Sequence, residues 1–327
     1  MFGETPNTAR ETRALLPGPV APRNNISFAL FLSFRMDPLY YVYAAMIASL
    51  VVMQVNQRRA SPVLAVANRW LRLVIFSLGG ALVMRGLEWS DRPLSALTLA
   101  FFLVWFLGDT VYNWLAIKAL SVSPLPLFPR FSVNASGEEW PTDIRFLRVR
   151  DWLRREGFKQ VQSLHSDIVP GIRLRMSVYH DAEAKIRLQV TFFPQPAGAV
   201  AMCLHLATNT TGGHRIVTDN IFMPFAGFYP ENWLVKRYPL CRSPRKLLAR
   251  HRRRLAEAGE TPCPWTSEPL NDINGQQVEL EQINTELGFL FPHREREEHG
   301  KITYEGRYRV WKECWLLNYF GRAGRYE

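Results

Sequence analysis

LYYVYAAMIASLVVMQV (residues 39–55), LRLVIFSLGGALVMRGL (71–87) and LSALTLAFFLVWFLGDTVYNWLAIKA (94–119) are three apolar runs separated by short breaks that carry arginine. A helix needs about 20 mostly apolar residues to cross a hydrocarbon core of roughly 30 Å. Nothing after Ala119 resembles these runs. The fold expected is therefore an N-terminal transmembrane α-helical anchor of three helices, followed by a cytosolic α+β domain. The mean hydropathy of −0.11 conceals this, because the long polar remainder dilutes the apolar part.

Four segments follow from the composition. Residues 1–38 read as a disordered tail, or as residues ahead of a true start at Met36; they mix Arg10, Arg13 and Arg23 with Glu4, Glu11 and several prolines, unlike a secretory signal. Residues 39–120 form the anchor. Residues 121–141 form a connector whose Pro124, Pro126 and Pro129 favour an extended, semi-rigid path. Residues 142–327 are long enough for one domain with a core of its own.

Charge gives the anchor a direction. Arg58, Arg59, Arg69 and Arg72 lie between the first and second runs with no acid among them, whereas Glu88, Asp91 and Arg92 separate the second from the third. Cytoplasmic loops of membrane proteins are enriched in Lys and Arg. The expectation is an integral protein of a bacterial cytoplasmic membrane, N-terminus outside and C-terminal domain in the cytosol. The second run is the weakest span, since Arg72 and Arg85 have to snorkel to opposite interfaces; a re-entrant helix is the competing assignment. Asp109 interrupts the third run, and a carboxylate at that depth is costly unless paired. Arg72 or Asn113 is its expected partner.

Beyond the connector, Asp143 to Gly157 has helical spacing, with Thr142 as candidate N-cap. The period then changes to two in Ile172–His180, Ile186–Phe193 and Val200–Ala207, with a short strand at Arg215–Thr218 and an edge strand near Phe158–His165. This describes an antiparallel β-meander with one buried face, flanked by helices. If Val178 faces Leu188 and Leu188 faces Leu204, the other face carries Tyr179, Arg187 and His205 in one row and Ser177, Gln189 and Cys203 in the next. With Arg173, Arg175 and Asp219, the basic and hydrogen-bonding members make a candidate platform for an anion, a nucleotide or a lipid headgroup. The plainer alternative is a solvated face, or one covered by C-terminal helices.

TDNIFMPFAGFYPENW (218–233) is an aromatic loop whose polar candidates are Asp219, Asn220, Tyr229 and Glu231. Ser243 and Pro244 then open a helix bearing Arg245, Lys246, Arg250, Arg252, Arg253 and Arg254, preceded by Arg242. Beside a membrane, anionic lipid is the natural counterpart of such a helix, and nucleic acid is the less favoured one. A further helix is expected over Gln276–Leu290, and the aromatic tail YRVWKECWLLNYFG is expected to pack on the sheet. Cys203, Cys241, Cys263 and Cys314 include no C-x-x-C pair, which argues against a zinc knuckle or disulfide framework. No metal or cofactor is expected.

Two functional classes remain. One is a membrane-tethered binding or interaction module docking on anionic lipid, with a protein partner or a second copy as the other possible contact. The alternative is a membrane-bound enzyme acting on a lipid or phosphorylated substrate through Arg187, His205 and Asp219. The chain has no H-E-x-x-H, G-x-S-x-G, Walker lysine loop or G-x-G-x-x-G, which weighs toward the first.

Overall fold

The computed structural model describes residues 38–136, 140–195 and 198–324. The expected tail therefore lies almost wholly outside the described residues. Three helices, α1 (Pro38–Arg59), α2 (Pro62–Gly86) and α3 (Leu94–Val122), form an up-down-up hairpin in which each neighbouring pair packs. All three are long and apolar enough to cross a membrane. The second run is one continuous helix of 25 residues, which favours crossing over a re-entrant path. Small residues bring the helices close: a Cβ at Gly80 would lie 2.6 Å from the Phe101 ring, as expected where membrane helices pack through small residues.

The rest of the chain is an α+β domain around an eight-stranded sheet. The strands are β1 (Ser132–Val133), β2 (Lys159–Val169), β3 (Ile172–His180), β4 (Arg187–Pro194), β5 (Val200–Thr210), β6 (Arg215–Asp219), β7 (Trp233–Arg237) and β8 (Pro262–Cys263). Strands β1 to β6 run antiparallel in chain order, so the meander is present as expected. Three additions were not legible in the sequence: β1, within the expected connector, pairs with β2, β7 lies parallel to β6, and β8 pairs with the end of β5. The helices are α4 (Ile144–Arg155), α5 (Pro244–Ala258), α6 (Pro269–Glu286), the short α7 (Arg296–His299) and α8 (Tyr304–Trp315), the last continued by a π-helical turn, Leu316–Phe320. Asp143, not Thr142, caps α4 by accepting from Arg145 N. Helix α6 begins several residues ahead of the expected Gln276.

The expected register is wrong, and the error inverts half the sheet. Tyr179, not Val178, pairs with Leu188, and Leu188 pairs with Leu206. The loop after β3 sets this. Asp181 Oδ1 accepts from Lys185 N and Ile186 N at 2.7 and 2.9 Å, closing a wider turn than a simple alternation implies. A slip of one residue exchanges faces. In consequence Val178, Met176 and Leu164 pack with Phe131 and Ile273 of α6 on one face. Leu188, Val190, Phe192, Leu204 and Leu206 pack with α4 and α5 on the other. Both faces are buried, not one.

The connector is not a tether. Phe128 and Phe131 are buried in the domain, and Phe131 exchanges backbone bonds with the Asn274 side chain at 2.8 and 2.9 Å. The aromatic tail does not simply lie on the sheet: α8 packs on α3, and the π-helical turn packs on α2.

Candidate functional site

The candidate platform separates once register is known. Gln189, His205, Asp219 and Arg237 form one cross-strand row, with Arg187 on the same face. Tyr179 and Arg175 lie on the opposite face, and Arg173 sits near the β2–β3 turn, 2.7 Å from Asp167. Tyr179 is buried and bonded by Trp140 at 3.0 Å.

The row that does assemble is internal. Arg187 is fully buried and donates to Asp272 (2.7 Å), the Ser267 carbonyl (2.7 Å) and His180 (3.0 Å), with its guanidinium 3.9 Å from the Trp265 ring centre. Arg215 holds the other Asp272 oxygen at 2.8 Å. Asp219 is bound by Arg237, which also donates to Glu313 (2.8 Å) and to the carbonyls of Ile221 and Met223. These bonds satisfy both charges and fasten α8 and the aromatic loop to the sheet. Burial lowers the His205 pKa, against the smaller opposing pull of Asp219. Burial likewise pushes the Cys203 thiol up to about 12, far from thiolate chemistry. Neither of the two large clefts is lined by Arg187, His205 or Asp219. The aromatic loop closes the core: Asn220 bonds Leu204 N (2.7 Å) and the Cys241 carbonyl (2.9 Å), and Tyr229 is half-buried against the second cluster. Among the described residues no group of three or more His, Cys, Asp or Glu is placed to hold a metal ion.

Helix α5 divides into two functional parts. Ser243 caps it as expected, and Leu247, Leu248 and His251 are buried against the sheet. Each such leucine contributes roughly 1.5–3 kcal/mol. Arg254 turns inward to donate to the Val217 and Leu234 carbonyls and to Thr218, so it is structural. Arg253 pairs with Glu257 at 3.2 Å. Arg242, Arg245, Lys246 and Arg252 are exposed, and Arg250 stands over Tyr238.

Two clefts flank Arg242, where the domain meets the end of the α1–α2 hairpin. The larger, about 910 Å³, is lined by Lys236, Arg237, Arg242, Lys246, Arg250 and Arg322, and by no carboxylate among the described residues. The smaller, about 460 Å³, brings Arg59, Arg145 and Arg242 together, also without a carboxylate among the described residues of its lining. Arg145 reaches the Arg58 and Arg59 carbonyls at 3.5 and 3.4 Å while holding Asp143, and Arg242 reaches the Arg59 carbonyl at 3.3 Å. Burial, then the charges of Arg145 and Arg59, lower the Arg242 pKa. Two of these cations already have acids: Arg237 is paired with Asp219 and Glu313, and Arg145 with Asp143, whereas Arg59, Lys236, Arg242, Lys246, Arg250 and Arg322 form no ion pair among the described residues.

No protein-family model, curated protein or solved structure matches this chain. Its chemistry has to be read from its own geometry. Sequence reading found Arg242 on a basic helix and Arg59 in a basic loop, but not their meeting with Arg145. The one available signal was that Arg59, Arg145 and Arg242 all sit at helix ends.

Within the helices, Asp109 is paired with Arg69, not Arg72. Tyr319 OH donates to Asp109 at 3.3 Å and accepts from Trp105 Nε1 at 2.7 Å; Trp70 Nε1 donates to the Tyr319 carbonyl at 2.7 Å. The C-terminal turn supplies the aromatic side of this cluster, which a helix-by-helix reading of the apolar runs does not anticipate.

Proposed function

We propose that this chain is a membrane-anchored binding module whose α+β domain sits against the cytoplasmic leaflet and docks on anionic lipid. The observation that carries the reading is the larger cleft. It presents five cations without an acid partner, Lys236, Arg242, Lys246, Arg250 and Arg322, and no carboxylate among the described residues of its lining, at the end of the hairpin that also carries Arg58 and Arg59. Basic groups within a Debye length of an acidic leaflet contribute about 1 kcal/mol each. The positive-inside bias assigns that end to the cytosol. Further support is negative charge kept elsewhere: Asp219 of the row, Asp272 of α6 and Glu313 of α8 are each already paired with arginine. The same internal pairing removes the geometric support for an enzyme working through Arg187, His205 and Asp219.

The test is lipid retention. The full chain, purified in mild detergent, is expected to retain phosphatidylglycerol over phosphatidylcholine, with the preference falling as salt rises. Lys246→Gln, Arg250→Gln and Arg322→Gln together should remove most of that preference without lowering the melting temperature. Equal retention of both lipids by the unaltered chain would sink the proposal. A C-terminal green fluorescent protein fusion, fluorescent only in the cytosol, checks the orientation independently.

A further inference from the structure

We infer that the smaller cleft is a one-to-one site for a phosphate-bearing amphiphile, its phosphate held by Arg59 and Arg242 beside the Asp143-paired Arg145. This deepens the docking reading above and rests on it for the side of the membrane. Three features converge. The first is charge: Arg59 and Arg242, from α1 and the approach to α5, face one cleft beside Arg145 of α4, which is already paired with Asp143, and no acid among the described residues is in its lining. Arg242 forms no ion pair among the described residues, and its donor contact is a carbonyl at 3.3 Å, leaving guanidinium N–H groups for an oxyanion. Guanidinium forks match phosphate oxygens and bind them through paired, charge-assisted bonds.

The second feature is the α2 terminus. Ser61, Pro62 and Ala65 line the same cleft, and the Ser61 side chain makes no capping bond. The positive end of a 25-residue helix therefore adds to the arginine field at that wall. The third is the remainder of the lining. Phe146, Phe193, Val200, Met202, Phe222 and Met223 give it an apolar wall, and about 460 Å³ falls in the range of small-ligand pockets. A cationic mouth on an apolar chamber, at the junction of domain and apolar helices, matches a phospholipid with an exposed phosphate better than it matches a bare ion. The phosphate chemistry is shared with water-soluble phosphate monoesters, and the experiment separates the two sources.

Native mass spectrometry of the full chain in mild detergent, titrated with dioctanoyl phosphatidic acid, should show one bound lipid per chain that saturates. Arg242→Gln removes one charge-assisted contact and should weaken binding about tenfold or more. Ala201→Trp leaves every arginine in place and fills the apolar wall, and should also weaken it. Arg252→Gln, on the exposed side of α5, should bind as the unaltered chain does. Displacement by glycerol 3-phosphate supports the site with an aqueous ligand as its source; resistance to displacement supports it with the lipid. Absence of saturable binding, or equal affinity in the unaltered chain, Arg242→Gln and Ala201→Trp, overturns the inference. If phosphatidylglycerol retention persists in that event, the docking reading stands alone; if retention is also absent, both fall.

Discussion

His251 shows at the residue scale how burial turns an ionisable side chain into a structural one. Its ring lies between Thr208 and Thr218, 3.0 Å from each hydroxyl, on a helix that packs against the sheet. Burial, and then the charge of Arg254, push its pKa down to about 3. An unfolded chain titrates near 6.5. Between these values the unfolded state binds the extra proton, so stability falls as pH drops from about 6.5 toward 3. The loss approaches about 1.4 kcal/mol per pH unit for this one group. Denaturant unfolding of the chain at pH 7 and pH 5 should show that decline, and His251→Gln should flatten it while lowering stability at pH 7. A slope unchanged in the variant would remove His251 as its source. Arg187 makes the same point from the other side. Its position on β4 was legible, but a basic residue on a strand reads as solvent-facing until the helix bearing Asp272 is known to lie over it.

At the scale of elements, the helices and strands were largely readable because their causes are local. Period two marks β3 to β5, and Ser243 with Pro244 marks the start of α5. What period two does not fix is which face of each strand meets which layer. The Asp181 loop decides that between β3 and β4, and the apolar sets of the two strands end on opposite sides. Helix α8 illustrates a contact that spacing also leaves open. Thr303 caps it by accepting from Gly306 N at 3.0 Å. A Cβ at Gly306 would strike the Phe289 carbonyl and lie 2.8 Å from the Ile302 methyl. Backbone cannot yield as a flexible side chain does, so Gly306→Ala should cost about 1–3 kcal/mol, read as a lower denaturation midpoint. Unchanged stability would show that α8 is free to shift on its neighbour.

For the whole molecule, the question is how the domain is held to its helices. Ser121 and Ser123 at the end of α3 are bonded by Lys301 and Ile302, and the Arg69–Asp109 pair is closed over by Tyr319. Asp109→Asn would leave Arg69 without its counter-charge in a partly buried place, a change that costs up to 3–5 kcal/mol when burial is complete. The expected result is a lower melting temperature and faster hydrogen exchange in residues 316–320; identical exchange would mean that the C-terminal turn docks without the pair. The apolar runs and the period-two strands specified three helices long and apolar enough to cross a membrane and a meander by themselves, because helix length, hydropathy and the pleat are set by neighbouring residues along the chain. The partner of Asp109, the inverted faces of the sheet and the meeting of Arg59, Arg145 and Arg242 depended on tertiary structure. Each joins side chains distant in sequence, and charge or hydropathy read along a strand or helix carries no information about which other element arrives opposite it.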